Sequence, residues 1–264
     1  MPAVDPPTGG TLGEALVHSL LAGGVGTGAG ALPVLFVPRI GARLESALAG
    51  FSAGVMLAAA FFALLLPALA SYAPADGPLA IWPVMLGVLL GGLTIDFVHR
   101  HSPHAHFVKG PEGAERSRLA RVWLFTIALS LHNLPEGLAV GVGVATGDAE
   151  LSLPVTISIG VQNMPEGLIV AIAFLAAGYP RSTALLVTLL TGLVEPIGAV
   201  IGFLALQVAT SAMPAALAFA AGAMVYVVSH EIIPESHREG RSAIATFGVL
   251  VGVLAMLWID AWLG

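Results

Sequence analysis

Two short polar motifs interrupt the apolar middle of this chain: His132-Asn133-Leu134-Pro135-Glu136-Gly137 and Gln162-Asn163-Met164-Pro165-Glu166-Gly167. Placing an ionised group near the centre of a bilayer costs roughly 2.5 to 3.5 kcal/mol on insertion scales. Carboxylates, amides and an imidazole are therefore expected in such a setting only where something binds them. Their combination favours a divalent metal cation.

The spacing within each motif places the chemistry on one side of a helix. His132 and Glu136 are four residues apart, as are Gln162 and Glu166, so each pair projects from one helical face. If the two faces meet, they offer an imidazole nitrogen, an amide oxygen and two carboxylates. The alternative is a pair of buried hydrogen bonds that stabilises a helix crossing.

Further candidates lie outside the first four side chains. Asn133 and Asn163 each precede a motif glutamate by three residues, so each glutamate could serve two adjacent cation positions. Glu195, followed by a proline, lies in a later apolar stretch and is expected to join the same site. Met56 could add a thioether, although methionine more commonly fills a core.

The apolar setting follows from the composition. Of 264 residues 57% are hydrophobic and 10% are charged, whereas soluble domains average about 25% charged residues. The composition predicts an all-α, polytopic membrane protein. Cysteine is absent, so a metal here would be held by nitrogen and oxygen ligands, with methionine as the only source of sulfur.

Apolar stretches long enough to cross a bilayer, about 20 residues each, fill most of the chain. We predict eight transmembrane helices at about 11–37, 44–70, 79–98, 121–145, 152–177, 182–207, 212–233 and 242–262. At 1.5 Å per residue both polar motifs then lie roughly 15 to 20 Å from either membrane surface.

The basic residues predict the orientation of these helices. With eight spans, all ten fall in or beside odd-numbered loops: Arg39, Arg43, Arg100, Lys109, Arg116, Arg118, Arg121, Arg181, Arg238 and Arg241. The even-numbered loops carry acidic residues instead. By the positive-inside rule, odd-numbered loops are cytoplasmic and both termini are outside. We expect a multi-pass plasma (inner) membrane protein.

Histidines gather on the predicted cytoplasmic side. The loop at about 99–120 contains His99, His101, His104 and His106, and Asp96 stands just before it. This group could bind released metal weakly, or it could be a solvated linker. His18, in the first span, is expected to be a hydrogen-bonded helix residue.

Together these features resemble the ZIP (Zrt/Irt-like) family of divalent metal transporters, in its bacterial, GufA-like branch. The resemblance rests on eight spans, the two Pro-Glu-Gly motifs, Glu195-Pro196-Ile197-Gly198, and the run Ser229-His230-Glu231-Ile232-Ile233-Pro234-Glu235. It implies one transmembrane transporter domain over residues 1–264, with spans 1–3 and 6–8 as inverted repeats around spans 4 and 5.

The resemblance also implies specific ligand sets. A first metal position would use Met56, His132, Glu136, Gln162 and Glu166. A second would use Asn133, Glu136, Asn163, Glu166 and Glu195. Asn163 replaces an aspartate found in some relatives, so the second position loses a negative charge. By the resemblance, His230 and Glu231 would receive the metal on its way to the cytosol; without it, a capping or hydrogen-bonded role is equally expected for them. Asp96, His99 and His101 of the histidine group would belong to the same exit.

The resulting functional prediction is transport of a divalent transition metal into the cytosol, without catalysis and without a resident cofactor. Zinc is the favoured substrate, with iron, manganese and cadmium as further candidates. The alternative is an intramembrane metalloenzyme. We expect metal ions and the lipid bilayer as partners, no nucleic acid, and we allow for a homodimer.

Overall fold

The structure is a computed structural model that describes residues 9–37, 40–72, 77, 79–101, 105–106, 110–111, 118–208, 212–237 and 242–263. Helices occur at all eight predicted stretches. Their bounds are α1 (Leu12–Leu35), α2 (Ala42–Ala70), α3 (Trp82–His101), α4 (Arg118–Ala145), α5 (Ala149–Ala176), α6 (Arg181–Gln207), α7 (Met213–Ile232) and α8 (Ser242–Leu263).

Six of these helices, within the described residues, are long and apolar enough to cross a membrane: α1, α2, α5, α6, α7 and α8. The apolar part of α3, Trp82–Val98, is shorter, and α4 spans 28 residues. Large apolar side chains such as Phe247, Leu254 and Trp258 of α8 are exposed, as expected for helices that face lipid. The chain is a helical, multi-pass membrane protein.

Among the described residues, three helices contain stretches of π-helix. These are Leu20–Val25 in α1, Ala59–Leu65 in α2 and Val228–Ile232 in α7. A π-helical stretch inserts a residue into the regular turn and is frequently found at functional sites. The repeating apolar pattern did not reveal these stretches, because an apolar helix has similar side chains on all faces.

The sixth span departs from the predicted continuous helix. Its first part, Arg181–Gly192, ends before a turn at residues 193–194, and a second helix begins at Glu195. Glu195 therefore starts a helix instead of lying within one. In contrast, α4 and α5 continue through Pro135 and Pro165 as single helices.

The predicted cytoplasmic loop is shorter than expected. Helix α3 extends to His101, and α4 begins at Arg118. Between them lies a small hairpin of two antiparallel strands, β1 (Ala105–His106) and β2 (Gly110–Pro111). His99 and His101 therefore belong to the last turn of α3, whereas His104 lies outside the described residues.

Glycines set the helix-to-helix distances. A Cβ atom added at Gly137 would overlap the carbonyl of Glu195, and one added at Gly198 would overlap that of Leu134, so α4 and α6 pack backbone to backbone. Similar contacts join α1 to α5, α2 to α8 and α3 to α7. Small residues permit this approach in membranes, where van der Waals packing drives helix association.

Candidate metal centre

The two polar motifs lie side by side on α4 and α5. The side-chain amide of Gln162 donates a hydrogen bond to Glu136 Oε1. All six polar motif residues are buried, with exposed fractions between 0% and 6%: His132, Asn133, Glu136, Gln162, Asn163 and Glu166. The two helical faces therefore meet at this contact.

Unpaired acceptor atoms converge in this region. Within the described part of the chain, seven buried side-chain atoms have no hydrogen-bond partner: Thr27 Oγ1, His132 Nδ1, Asn133 Oδ1, Glu136 Oε2, Gln162 Oε1, Asn163 Oδ1 and Glu195 Oε2. An unsatisfied buried polar group costs about 1 to 3 kcal/mol. Six of these seven atoms belong to residues that the sequence nominated as metal ligands.

The chemistry of these atoms suits a cation. Carboxylate oxygens, amide oxygens and an imidazole nitrogen together are ligands for zinc and neighbouring divalent metals. No three His, Asp or Glu side chains of the described residues are gathered closely enough to hold an ion by themselves. Any coordination shell here would therefore draw on other side-chain atoms as well, such as the free amide oxygens of Asn133, Gln162 and Asn163.

Helix α2 supplies a partner that the sequence did not reveal. Ser52 Oγ donates a 2.6 Å hydrogen bond to Glu166 Oε1. Met56 follows Ser52 by one helical turn and is 1% exposed, within the main apolar cluster. Its position one turn before Met56, on the same helical face, was the one feature of the sequence that could have pointed to Ser52. The role of Met56 as a ligand stays a prediction.

The break in α6 brings Glu195 to the motif on α5. Asn163 Nδ2 donates to Glu195 Oε1 and, at 3.2 Å, to the carbonyl oxygen of Ala22. On the other motif, Asn133 Nδ2 donates to the carbonyl oxygen of Thr191 at 2.8 Å. Each asparagine thus uses its N–H donors on neighbouring helices and leaves its side-chain oxygen free.

One predicted exit residue lies directly against the site. Glu231 Oε2 is 2.8 Å from His132 Nε2, and both side chains are largely buried. Glu231 lies in the π-helical stretch of α7. The sequence analysis placed His132 in the first metal position and Glu231 on the exit route. Nothing in their spacing indicates that α4 and α7 touch here.

Other predicted exit residues gather between α3 and α7. Asp96 accepts a 2.7 Å hydrogen bond from Tyr226 Oη and forms a 2.8 Å ion pair with Arg100. The ring of His230 stacks on Tyr226 at 5.2 Å. Tyr226 was missed by the sequence analysis, although it precedes His230 by one helical turn.

The remaining histidines are placed less centrally. His101 Nδ1 lies 2.8 Å from the carbonyl oxygen of Phe97 in its own helix, and the side chain of His99 lies outside the described residues. His18 Nδ1 is 2.9 Å from Thr156 Oγ1, which confirms its predicted hydrogen-bonded role.

Comparison with known proteins decides the family. The model of the ZIP zinc transporter family matches residues 99–260. This chain belongs to the ZIP family. Zinc transporter GufA of Myxococcus xanthus is 46% identical, covering 96% of this chain and 100% of that protein.

Two further relatives extend the family assignment. Zinc transporter ZIPB of Bordetella bronchiseptica is 45% identical over 96% of this ZIP chain and 84% of that protein. Zinc transporter ZIP11 of Homo sapiens is 30% identical over 95% of this chain and 97% of that protein. The predicted family resemblance is confirmed, and it covers nearly the whole chain.

Proposed function

We propose that this protein carries divalent transition-metal ions, zinc foremost, across the membrane into the cytosol. The observation that carries the proposal is the convergence of unpaired buried oxygens and one imidazole nitrogen on the two Pro-Glu-Gly motifs. Family membership adds independent support, because the relatives are zinc transporters. Iron, manganese and cadmium are further candidate substrates.

The primary metal position would be formed by Met56, His132, Glu136, Gln162 and Glu166. The free Nδ1 of His132 supports this assignment, because its other ring nitrogen is already held by Glu231. A metal-binding histidine ordinarily engages a carboxylate or carbonyl through the nitrogen that does not bind the metal. Glu231 would therefore orient the imidazole.

A second position would lie on the other side of the two glutamates, with Asn133, Asn163 and Glu195. Its support is the three free oxygens that these side chains leave. Glu136 and Glu166 would be shared between the two positions. Transport requires moderate affinity at both, since the ion must also leave.

The route to the cytosol would pass Glu231, His230 and Asp96, with His99 and His101 beyond them. The contact between Glu231 and His132 supports this route, because it places the Glu231 carboxylate directly beside one of the proposed ligands. The cluster of Asp96, Tyr226 and His230 between α3 and α7 would follow.

The architecture we propose is one domain of eight spans built from two inverted repeats, α1–α3 and α6–α8, around α4 and α5. Matching glycine contacts support it. Gly30 of α1 packs on the carbonyl of Met164, and Gly198 of α6, 168 residues later, packs on that of the equivalent motif residue, Leu134.

The same separation relates the outer helices. Gly54 of α2 packs on α8, and Gly252 of α8 packs on the carbonyl of Phe51 in α2. In the same way, Gly222 of α7 packs on α3, and Gly91 of α3 packs on the carbonyl of Phe219 in α7. Both members of each pair, Gly54 with Gly222 and Phe51 with Phe219, lie 168 residues apart. The π-helical stretches of α2 and α7 also fall at nearly equivalent places.

The test is zinc uptake by purified protein in sealed proteoliposomes. Glu136→Gln keeps an oxygen that can accept the bond from Gln162 but removes the charge, so the fold is retained while saturable uptake is lost. Glu150→Gln, at the exposed start of α5, is the matched control and transports normally. Uptake like that of the wild type by both Glu136→Gln and Glu166→Gln would refute the proposed site.

The same preparation separates the proposed function from an intramembrane metalloenzyme. A transporter moves zinc into the vesicle lumen without any other substrate. Tight zinc binding by the wild-type protein with no movement into the lumen would favour the enzyme.

A further inference from the structure

Thr27 is a buried hydroxyl without a partner. It is 2% exposed, and no hydrogen-bond partner for its Oγ1 occurs among the described residues. Two other buried threonines form hydrogen bonds within their own helices. Thr156 and Thr188 each donate to the carbonyl oxygen four residues earlier, at 2.7 and 2.8 Å. Thr27 therefore leaves its hydroxyl available in the protein interior.

This hydroxyl lies where α1 crosses α6. A Cβ atom added at Gly192 would stand 2.8 Å from Thr27 Oγ1, so the hydroxyl abuts the backbone just before the break in α6. Earlier on α1, a Cβ at Gly23 would stand 2.7 Å from Glu195 Oε1, and one at Gly26 would stand 3.3 Å from the Cβ of Asn163. Thr27 follows Gly23 by one helical turn, on the face of α1 that meets Glu195, and it comes directly after Gly26, which meets Asn163.

Thr27 also occupies the position on α1 that Glu195 occupies on α6. Gly137 of the first motif packs on the backbone of Glu195, and Gly167 of the second motif packs on the backbone of Thr27. The two residues are separated by the same 168 positions that relate Gly30 to Gly198. One repeat thus presents a carboxylate to the paired motifs and the other a neutral hydroxyl.

We propose that Thr27 Oγ1 is a ligand of the second cation position, opposite Glu195 and beside Asn163. The inference rests on the proposed metal-binding function of the motifs. Hydroxyl and amide oxygens coordinate cations without adding charge. Thr27 is therefore a weak ligand, which suits a position that an ion occupies only briefly during transport. The position binds less tightly than one with carboxylates from both repeats.

The experiment is a zinc titration of the purified full-length protein by calorimetry. Thr27→Val keeps the shape and removes the oxygen, and we expect it to weaken the second binding event about tenfold, a typical loss for an altered metal environment. Thr27→Ser retains the oxygen and the affinity. Thr27→Asp adds a carboxylate and strengthens the second event.

Thermal unfolding without metal gives a second readout. Removing an unsatisfied buried hydroxyl does not lower stability, so metal-free Thr27→Val unfolds at the wild-type temperature or above. Thr188→Val is the matched control: it loses a hydrogen bond, unfolds at a lower temperature and binds zinc as the wild type does.

Two outcomes would overturn the inference. One is an unchanged second binding event in both Thr27→Val and Thr27→Asp, while the wild type binds zinc normally. The other is a lower metal-free unfolding temperature for Thr27→Val, which would show a structural role. A wild-type protein that neither binds nor transports zinc would instead refute the proposed function itself.

Discussion

At the scale of single residues, the candidate centre is organised by which side-chain atoms already form hydrogen bonds and which do not. Asparagine and glutamine N–H groups donate to carboxylates or to backbone carbonyls of neighbouring helices, while their oxygens stay free. Each amide is thereby oriented with its acceptor available. A cation entering this region would meet oriented oxygens, which lowers the cost of ordering the site.

Asn163 is the residue at which we expect charge to decide the occupancy of the proposed second metal position. Its side-chain amide donates a hydrogen bond to Glu195. This bond partly satisfies the Glu195 carboxylate and so weakens its attraction for a cation. In the proposed site, the charges of Glu136 and Glu166 would balance one divalent ion. Even with the charge of Glu195 added, a second divalent ion would leave net positive charge in a low-dielectric site. We expect the second position to be only partly occupied in the unmodified protein.

Asn163→Asp should therefore fill the second position. The substitution replaces a donor to Glu195 with a second carboxylate, and a bound metal ion would relieve the repulsion between the two. Metal content and anomalous scattering would show more zinc per protein than in the wild type. Two fully occupied zinc ions in the unmodified protein, at micromolar metal and neutral pH, would contradict the charge argument.

At the scale of helices, close crossings hold the site-bearing elements in register. Backbone contact at Gly137 and Gly198 ties α4 to the second half of α6, which starts with Glu195. The turn at 193–194 allows that half to begin beside α5. Small residues are required at these crossings because any side chain would enter a carbonyl of the partner helix.

Two adjacent glycines of α3 test this requirement. A Cβ at Gly91 would overlap the carbonyl of Phe219, whereas at Gly92 the nearest atoms are 3.8 and 4.0 Å away. Gly91→Ala should separate α3 from α7 and lower the thermal unfolding temperature. Gly92→Ala should be neutral or stabilising by up to about 1 kcal/mol, since alanine favours helix. Equal behaviour of the two variants in detergent would count against the packing argument.

At the scale of the whole molecule, charge asymmetry predicts how the bundle sits in the membrane. All ten basic residues fall in or beside the odd-numbered loops of an eight-span topology. The segregation depends on the span count, because adding or removing one span would distribute the same residues over both sides. The positive-inside rule then predicts that the loop between α3 and α4 is cytoplasmic.

The absence of cysteine makes this orientation directly testable. In intact cells, a single cysteine introduced by Ser102→Cys should resist membrane-impermeant thiol reagents, whereas Ala75→Cys should react. Permeabilised cells provide the control, because both variants should then be labelled. Labelling of Ser102→Cys alone in intact cells would mean that the orientation is inverted.

Local features of the chain were sufficient to predict where the helices lie and which side chains of each motif share a helical face. The length of each apolar stretch predicted a helix at every one of eight places, because a membrane demands long apolar segments whose backbone groups bond internally. The motif spacing placed His132 with Glu136, and Gln162 with Glu166, on single faces, because helical periodicity depends only on neighbours in the chain.

Contacts between distant segments were decided by the tertiary structure. Nothing near Glu231 or Thr27 in the sequence indicates that the first pairs with His132 and that the second lies at the α1–α6 crossing. The position of Ser52 one turn before Met56 does not by itself identify Glu166 as its partner. The turn before Glu195 and the π-helical stretches were also missed, since apolar sequence is compatible with continuous helix. The reason is that helix association in lipid depends on close packing between two backbones. Such packing requires two matching surfaces, and the sequence of one helix does not show which other helix matches it.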